Sequence, residues 1–157
     1  MDAAVVKSEY ELERDKPMPS KNHAIVQTNL VILLGTKYQG KYRALSEVSI
    51  VVSTKEKVPD LAIYSSMEFT PGEDETRLET APLGVIEILP PSQSLTELIT
   101  KSAAYFEGGV LSYWLLLPDL RSIYVFSAPG EYESFNKEDK LEDPRLEIEL
   151  ELKDIFK

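Results

Sequence analysis

Apolar residues arrive in short blocks, separated by polar runs that contain most of the prolines and glycines. The blocks follow two periods. Asn22 can cap a helix over 23–34, and Gly35 reads as its stop. The core of that helix, Leu30-Val-Ile-Leu-Leu34, is apolar nearly all round, which predicts central burial. A shorter helix is expected over 8–14. Residues 43–52 alternate as a strand does. Residues 60–64 and 84–89 are short apolar runs, the pattern of buried strands. Between them an acidic loop spans 69–80 and turns at Pro71-Gly72. After Pro90-Pro91, the capping box Ser94-Leu-Thr-Glu97 opens a second long helix. Leu95, Leu98, Ile99, Ala103 and Phe106 form its apolar stripe, and Gly108-Gly109 ends it. Residues 112–117 and 122–126 make a hairpin through Pro118-Asp-Leu-Arg121. Outer strands are expected at 131–136 and 146–149, with a short helix or coil over 152–156. This order belongs to an α/β or α+β protein, a sheet flanked by helices.

Two of the buried runs carry a carboxylate that a strand does not need. They are Asp60 in Val58-Pro-Asp-Leu-Ala-Ile-Tyr64 and, 27 residues later, Glu87 in Gly84-Val-Ile-Glu-Ile-Leu89. An unpaired buried carboxylate is costly, so such groups neutralise, pair or bind a cation. Pro59 drives the residue before it toward extended geometry and offers no N–H. That sets Asp60 at the start of its strand, on the sheet's rim. Alternation puts Glu87 on the face of Val85 and Leu89. Acids on neighbouring strands suit a hard divalent ion with oxygen ligands. Lys101 lies on the flank of the second helix's stripe. Its stem can run along the sheet and carry the ammonium to the strand ends.

Each residue also has a plainer reading. Pro-Asp is a common turn pair, Glu87 could be salt-bridged at the core's edge, and a helix lysine is most often solvated. The order and spacing of all three carry more weight than any one. His23, the only histidine, reads as structural at the helix start, with phosphate contact as its other use. Trp114 reads as core, and Tyr10, Tyr38 and Tyr42 could stack on a base.

With 157 residues the chain suits a single domain, 1–157. No apolar run approaches the roughly 20 residues that a bilayer span needs, so no membrane partner is expected. The start, Met-Asp-Ala-Ala-Val-Val-Lys, lacks a secretory pattern, and a cytoplasmic location is the default. The absence of cysteine excludes disulfides, thiolate metal sites and a cysteine nucleophile. A net charge of −10 argues against non-specific coating of nucleic acid. Residues 131–154 hold ten acidic and four basic side chains. Base is richer across Arg14, Lys16, Lys21, Lys37, Lys41 and Arg43, where a polyanion would meet the protein first.

Several segments together carry a resemblance. They are Tyr10-Glu-Leu12, Pro17-Met-Pro-Ser20, Asn22-His23, Val58-Pro-Asp60 and Val85-Ile-Glu-Ile-Leu-Pro-Pro-Ser92. Lys101 with Tyr105-Phe-Glu-Gly-Gly-Val110, and Tyr113-Trp-Leu115, complete the series. Almost end to end, the chain resembles the Uma-type putative restriction endonuclease family of the PD-(D/E)XK nuclease superfamily. That resemblance implies a restriction-endonuclease-like fold, a central mixed β-sheet with helices on both sides. It also implies magnesium-dependent hydrolysis of nucleic acid, with DNA the expected substrate and manganese a possible substitute ion.

By the same resemblance, Asp60 and Glu87 are metal ligands, Glu11 is an extra acidic ligand, and Lys101 is the catalytic lysine. The standard motif places that lysine two residues after the second acid, where this chain has Leu89. The family commonly draws it from the next helix instead. Gln27 is implied as a residue that orients ligands or substrate. The chain departs from the pattern at Tyr10-Glu-Leu-Glu-Arg-Asp-Lys16, where Tyr-Glu-Leu-x-x-Gly-Glu is common, and at Pro91-Ser92, where Ser-Pro-Ser is usual. The alternative is a catalytically silent module on the same fold that binds nucleic acid or a protein partner. A third option is a hydrolase of small phosphate esters using the same site. Cutting both strands would favour a homodimer, with the strand over 113–117 or the outer strands as its interface.

Overall fold

The computed structural model describes residues 18–157; the helix expected over 8–14, with Tyr10 and Glu11, lies outside them. Helix α1 (Lys21–Lys37) leads into strands β1 (Tyr42–Ser46), β2 (Ile50–Val52), β3 (Lys55–Lys57), β4 (Leu61–Ser65) and β5 (Gly84–Ile88). Helix α2 (Leu95–Glu107) follows, then β6 (Ser112–Leu117), a 3-10 turn (Pro118–Leu120) and β7 (Ser122–Ala128). The chain continues through β8 (Glu131–Asn136), β9 (Lys140–Asp143), β10 (Ile148–Glu151) and a short α3 (Leu152–Ile155). Six strands form one sheet in the order β1-β4-β5-β6-β7-β8. Strands β5 and β6 run parallel because α2 crosses between them, and the other neighbours are antiparallel. The mixed sheet flanked by helices is therefore the fold expected from the pattern and the resemblance.

Alternation along the central strands builds two cores. Leu61, Ile63, Ile86, Ile88, Trp114 and Leu116 face Val26, Leu30 and Leu34 of α1. The β9–β10 hairpin and α3 add Leu141, Ile148, Leu150 and Ile155 to this side. Ala62, Val85, Tyr113, Leu115 and Leu117 face Leu98 and Tyr105 of α2. Trp114 is fully buried, as expected of a core residue. No helix among the described residues is long and apolar enough to cross a membrane.

Several local expectations need correction. Helix α1 is capped by Ser20 and not by Asn22; the Ser20 hydroxyl accepts the His23 N–H at 3.2 Å. The helix runs through Gly35, and the chain turns at Gly40, which holds φ +84°. It lies on one face of the sheet and is not centrally buried. It buries His23, Val26, Leu30 and Leu34 and leaves Ile25 and Ile32 exposed. The strand expected over 43–52 breaks into β1 and β2 at Glu47, whose φ of 50° is left-handed. On α2 the buried stripe is Leu98, Ser102 and Tyr105, while Leu95 and Ile99 are exposed. Strand β9 has no counterpart in the pattern, because its four residues Lys-Leu-Glu-Asp carry one apolar side chain. The strand over 113–117 cannot serve as a dimer interface. It is buried along its whole length between β5 and β7.

Candidate functional site

The β4–β5 register pairs Leu61 with Ile86. One further step sets Asp60 across from Glu87, just past the last paired rung. Pro59 precedes it and cannot extend the ladder, which is why the strand begins where it does. Both acids are buried, with 2% and 4% of their surface exposed. Alternation places Glu87 on the α2 side with Val85. Asp60, at the rim, is within reach of the first turns of α1.

Each acid is held by a different helix. The Oδ2 of Asp60 accepts the Ile88 N–H at 2.8 Å. His23 Nε2 of α1 lies 3.1 Å from the same oxygen. A carboxylate can only accept, so Nε2 carries the proton between them. The Asp60 backbone carbonyl accepts the Glu47 N–H at 3.1 Å. It also accepts from Gln27 Nε2, one helical turn beyond His23, at 3.2 Å. On the opposite face, Tyr105 of α2 donates its hydroxyl to Glu87 Oε1 at 3.1 Å. Tyr113 stacks on Tyr105 with ring centroids 5.7 Å apart and donates to the Leu98 carbonyl at 2.8 Å. Burial first, and the Glu87 charge second, push both phenols well above their ordinary value of 10. Asp60 adds to the rise at both. Both tyrosines thus remain hydrogen-bond donors beside two carboxylates.

Lys101 is partly buried on α2, four residues before Tyr105 and so on the same side of the helix. Because α2 returns from the end of β5, its earlier turns lie toward the rim. Lys101 makes no ion pair with Asp60 or Glu87 among the described residues. Glu11 lies outside those residues. Among the described residues, no three His, Cys, Asp or Glu side chains converge as a metal-binding group. The two carboxylates nonetheless suit a hard cation that completes its shell with waters and substrate phosphate.

A cleft of about 460 Å³ opens beside this rim. The start of α1, residues 21–23, forms one wall, and Leu89, Pro90 and the turn after β6 form the other. Lys21 is the basic residue at its mouth. Two other members of the basic segment are committed elsewhere. Lys37 bonds the Glu149 carbonyl, and Lys41 pairs with Glu147 at 3.0 Å. Tyr38 and Tyr42, candidates for base stacking by sequence, bond the backbone of Glu149 and Leu146 instead.

The position of His23 suggests a structural residue, yet its ring reaches Asp60, and its own N–H is what Ser20 caps. The sequence pattern does not single out Tyr105 as a site residue. A signal for it is present all the same, because a buried tyrosine needs a partner for its hydroxyl and an acid lies on the neighbouring strand. A third buried acid, Asp143, provides a contrast. It accepts from Trp114 Nε1 at 2.7 Å, Ser112 Oγ at 3.0 Å and the N–H groups of Arg145 and Leu146. That carboxylate is saturated by local donors and lies in the framework of the β9–β10 hairpin.

Comparison with solved structures finds a crystal structure of "a putative nuclease" from Anabaena variabilis. It superposes with a TM-score of 0.78 at 28% identity, covering 90% of this chain and 83% of that one. No curated protein matches the chain. Residues 8–153 match the Uma2 family, described as "Putative restriction endonuclease", and the chain belongs to that family.

Proposed function

We propose that this chain is a metal-dependent endonuclease that hydrolyses phosphodiester bonds in nucleic acid, with DNA as its substrate. The observation that carries the reading is the pair of buried carboxylates, Asp60 and Glu87, set across from each other where β4 begins and β5 ends. Family membership and the similar nuclease structure supply the reaction class.

Asp60 and Glu87, with Glu11, are the residues that would hold magnesium or manganese. A divalent cation there supplies Lewis acidity toward the phosphate and an activated water near neutral pH. The chain's own residues do the rest. His23, Gln27 and the Ile88 N–H orient Asp60, and Tyr105 orients Glu87. Lys101 brings a fixed positive charge along α2 to offset charge developing on the phosphate or to orient the attacking water. Lys21, at the cleft mouth, meets the polyanion backbone.

The test is cleavage of supercoiled plasmid with magnesium or manganese, run beside Asp60→Asn prepared identically. Nicking or linearisation by wild type alone is the expected result. Equal cleavage by both proteins would remove Asp60 from the site. Saturable metal binding without cleavage of any single- or double-stranded substrate would favour the silent binding module.

A further inference from the structure

We infer that His23 and Gln27 form a positioning clamp on Asp60, and that this clamp sets how tightly the site holds a divalent cation. The inference rests on the nuclease reading above. Residues 23 and 27 stand one turn apart on α1 and so share a face. They grip different halves of one residue. His23 Nε2 lies 3.1 Å from the carboxylate Oδ2, and Gln27 Nε2 donates to the backbone carbonyl at 3.2 Å.

Asp60 needs such a grip. It stands one residue past the last rung of β4, so strand pairing does not orient its side chain. The Ile88 N–H approaches Oδ2 from the sheet, and His23 approaches it from the helix. Two donors on one oxygen fix the carboxylate's rotation. A ligand held this way presents its remaining lone pairs in one direction. The anchor is itself firm, since the His23 N–H is taken by the Ser20 cap.

A second observation separates this role from simple packing. His23 Nδ1 is buried without a hydrogen-bond partner among the described residues. A buried orphan nitrogen is destabilising. An apolar side chain would fill the space without that cost. The imidazole instead spends its other nitrogen on Asp60, the pattern expected when orientation of the acid is what the ring serves.

The experiment is calorimetric titration of manganese into the full chain, with thermal melts of every protein. The proteins are wild type, Asp60→Asn, His23→Ala, His23→Gln and Gln27→Ala. Wild type is expected to bind and Asp60→Asn to lose most of its affinity. His23→Ala and Gln27→Ala are each expected to bind about 10-fold more weakly, as loss of a partner behind a ligand does. Their plasmid cleavage should lose kcat with little change in KM. His23→Gln, whose amide can still donate to Oδ2, should recover part of the affinity.

Wild-type affinity in both His23→Ala and Gln27→Ala, even with lower melting temperatures, would overturn the clamp and leave the nuclease reading standing. Equal affinity in Asp60→Asn and wild type would overturn both. If His23→Ala does not fold, His23→Gln and the partly buried Gln27→Ala decide the question.

Discussion

Asp60 has two jobs, and a substitution can separate them. Its carboxylate is the candidate ligand, and its Oδ2 also satisfies the Ile88 N–H. Asp60→Ala should remove activity and also destabilise the fold by about 1–3 kcal/mol, the cost of stranding a buried donor. Asp60→Asn keeps an oxygen acceptor and should lose activity with a smaller stability change. Denaturant unfolding of the two variants checks this, and equal stabilities would mean the Ile88 bond contributes nothing.

Tyrosine titration makes a second prediction at the same scale. Burial raises Tyr105 and Tyr113 well above 10, and raises Tyr64 to about 12 with help from Glu75. Each folded-state value lies above its unfolded one. The folded state therefore holds these protons more tightly, and the stability is fully present below about pH 10. It is lost as pH rises through the folded values. The denaturation midpoint should be flat from about pH 8 to 9.5 and fall by about pH 11, and Tyr105→Phe should flatten that fall. An unchanged midpoint at the alkaline end would show that the phenols titrate normally.

Helices and hairpins carry predictions of a different kind. The β2–β3 turn places Ser53 at φ 50° and Thr54 at φ 65°, both left-handed. Two such residues make the primed turn that matches strand twist, and a β-branched side chain is strained there. Thr54→Gly should stabilise the protein by about 1 kcal/mol, read as a higher melting temperature. Gly108 gives the opposite case. A Cβ at that position would lie 2.7 Å from Val52 Cβ and 3.1 Å from Ser53 N. Gly108→Ala should therefore lower the melting temperature by forcing the end of α2 away from β2. A neutral result would show that the hairpin gives way freely. These elements matter to function because α1 and α2 deliver opposite sides of the site. The capping box of α2 is readable in the chain, and Ser94 does accept the Glu97 N–H, whereas the cap of α1 is Ser20 and not the expected Asn22. Which face each helix buries is not readable, because both helices have apolar residues to spare. Contact with the sheet decides which of them are covered.

Across the whole molecule, the proposed cation site can be tested through stability. Asp60 and Glu87 are buried across from each other in a chain of net charge −10. A cation bound only by the folded state must stabilise it by mass action, by about 2.7 kcal/mol at 100 times the dissociation constant. Manganese or magnesium should raise the melting temperature of wild type in a concentration-dependent way and leave Asp60→Asn unmoved. An equal shift in both proteins would place the ion elsewhere. The acidic edge is partly neutralised from within, since Lys140 bridges to Glu149 at 3.3 Å and Lys41 pairs with Glu147. Of the described basic segment, Lys37 and Lys41 are thus consumed by the fold, and Lys21 stands at the cleft.

Local chemistry alone makes much of this protein legible along its chain. Period-2 and period-3.6 patterns, a capping box and Pro59 locate the central strands, α2 and the rim position of Asp60. These depend on neighbours within a few residues, which the sequence states directly. The unusual cost of a carboxylate in an apolar run marks Asp60 and Glu87. Their placement across one rung, the reach of His23 and Gln27 over 33 or more residues to Asp60, and the bond from Tyr105 to Glu87 are decided only in three dimensions. Register and crossover set those distances, and each depends on how every strand of the sheet settles against the others.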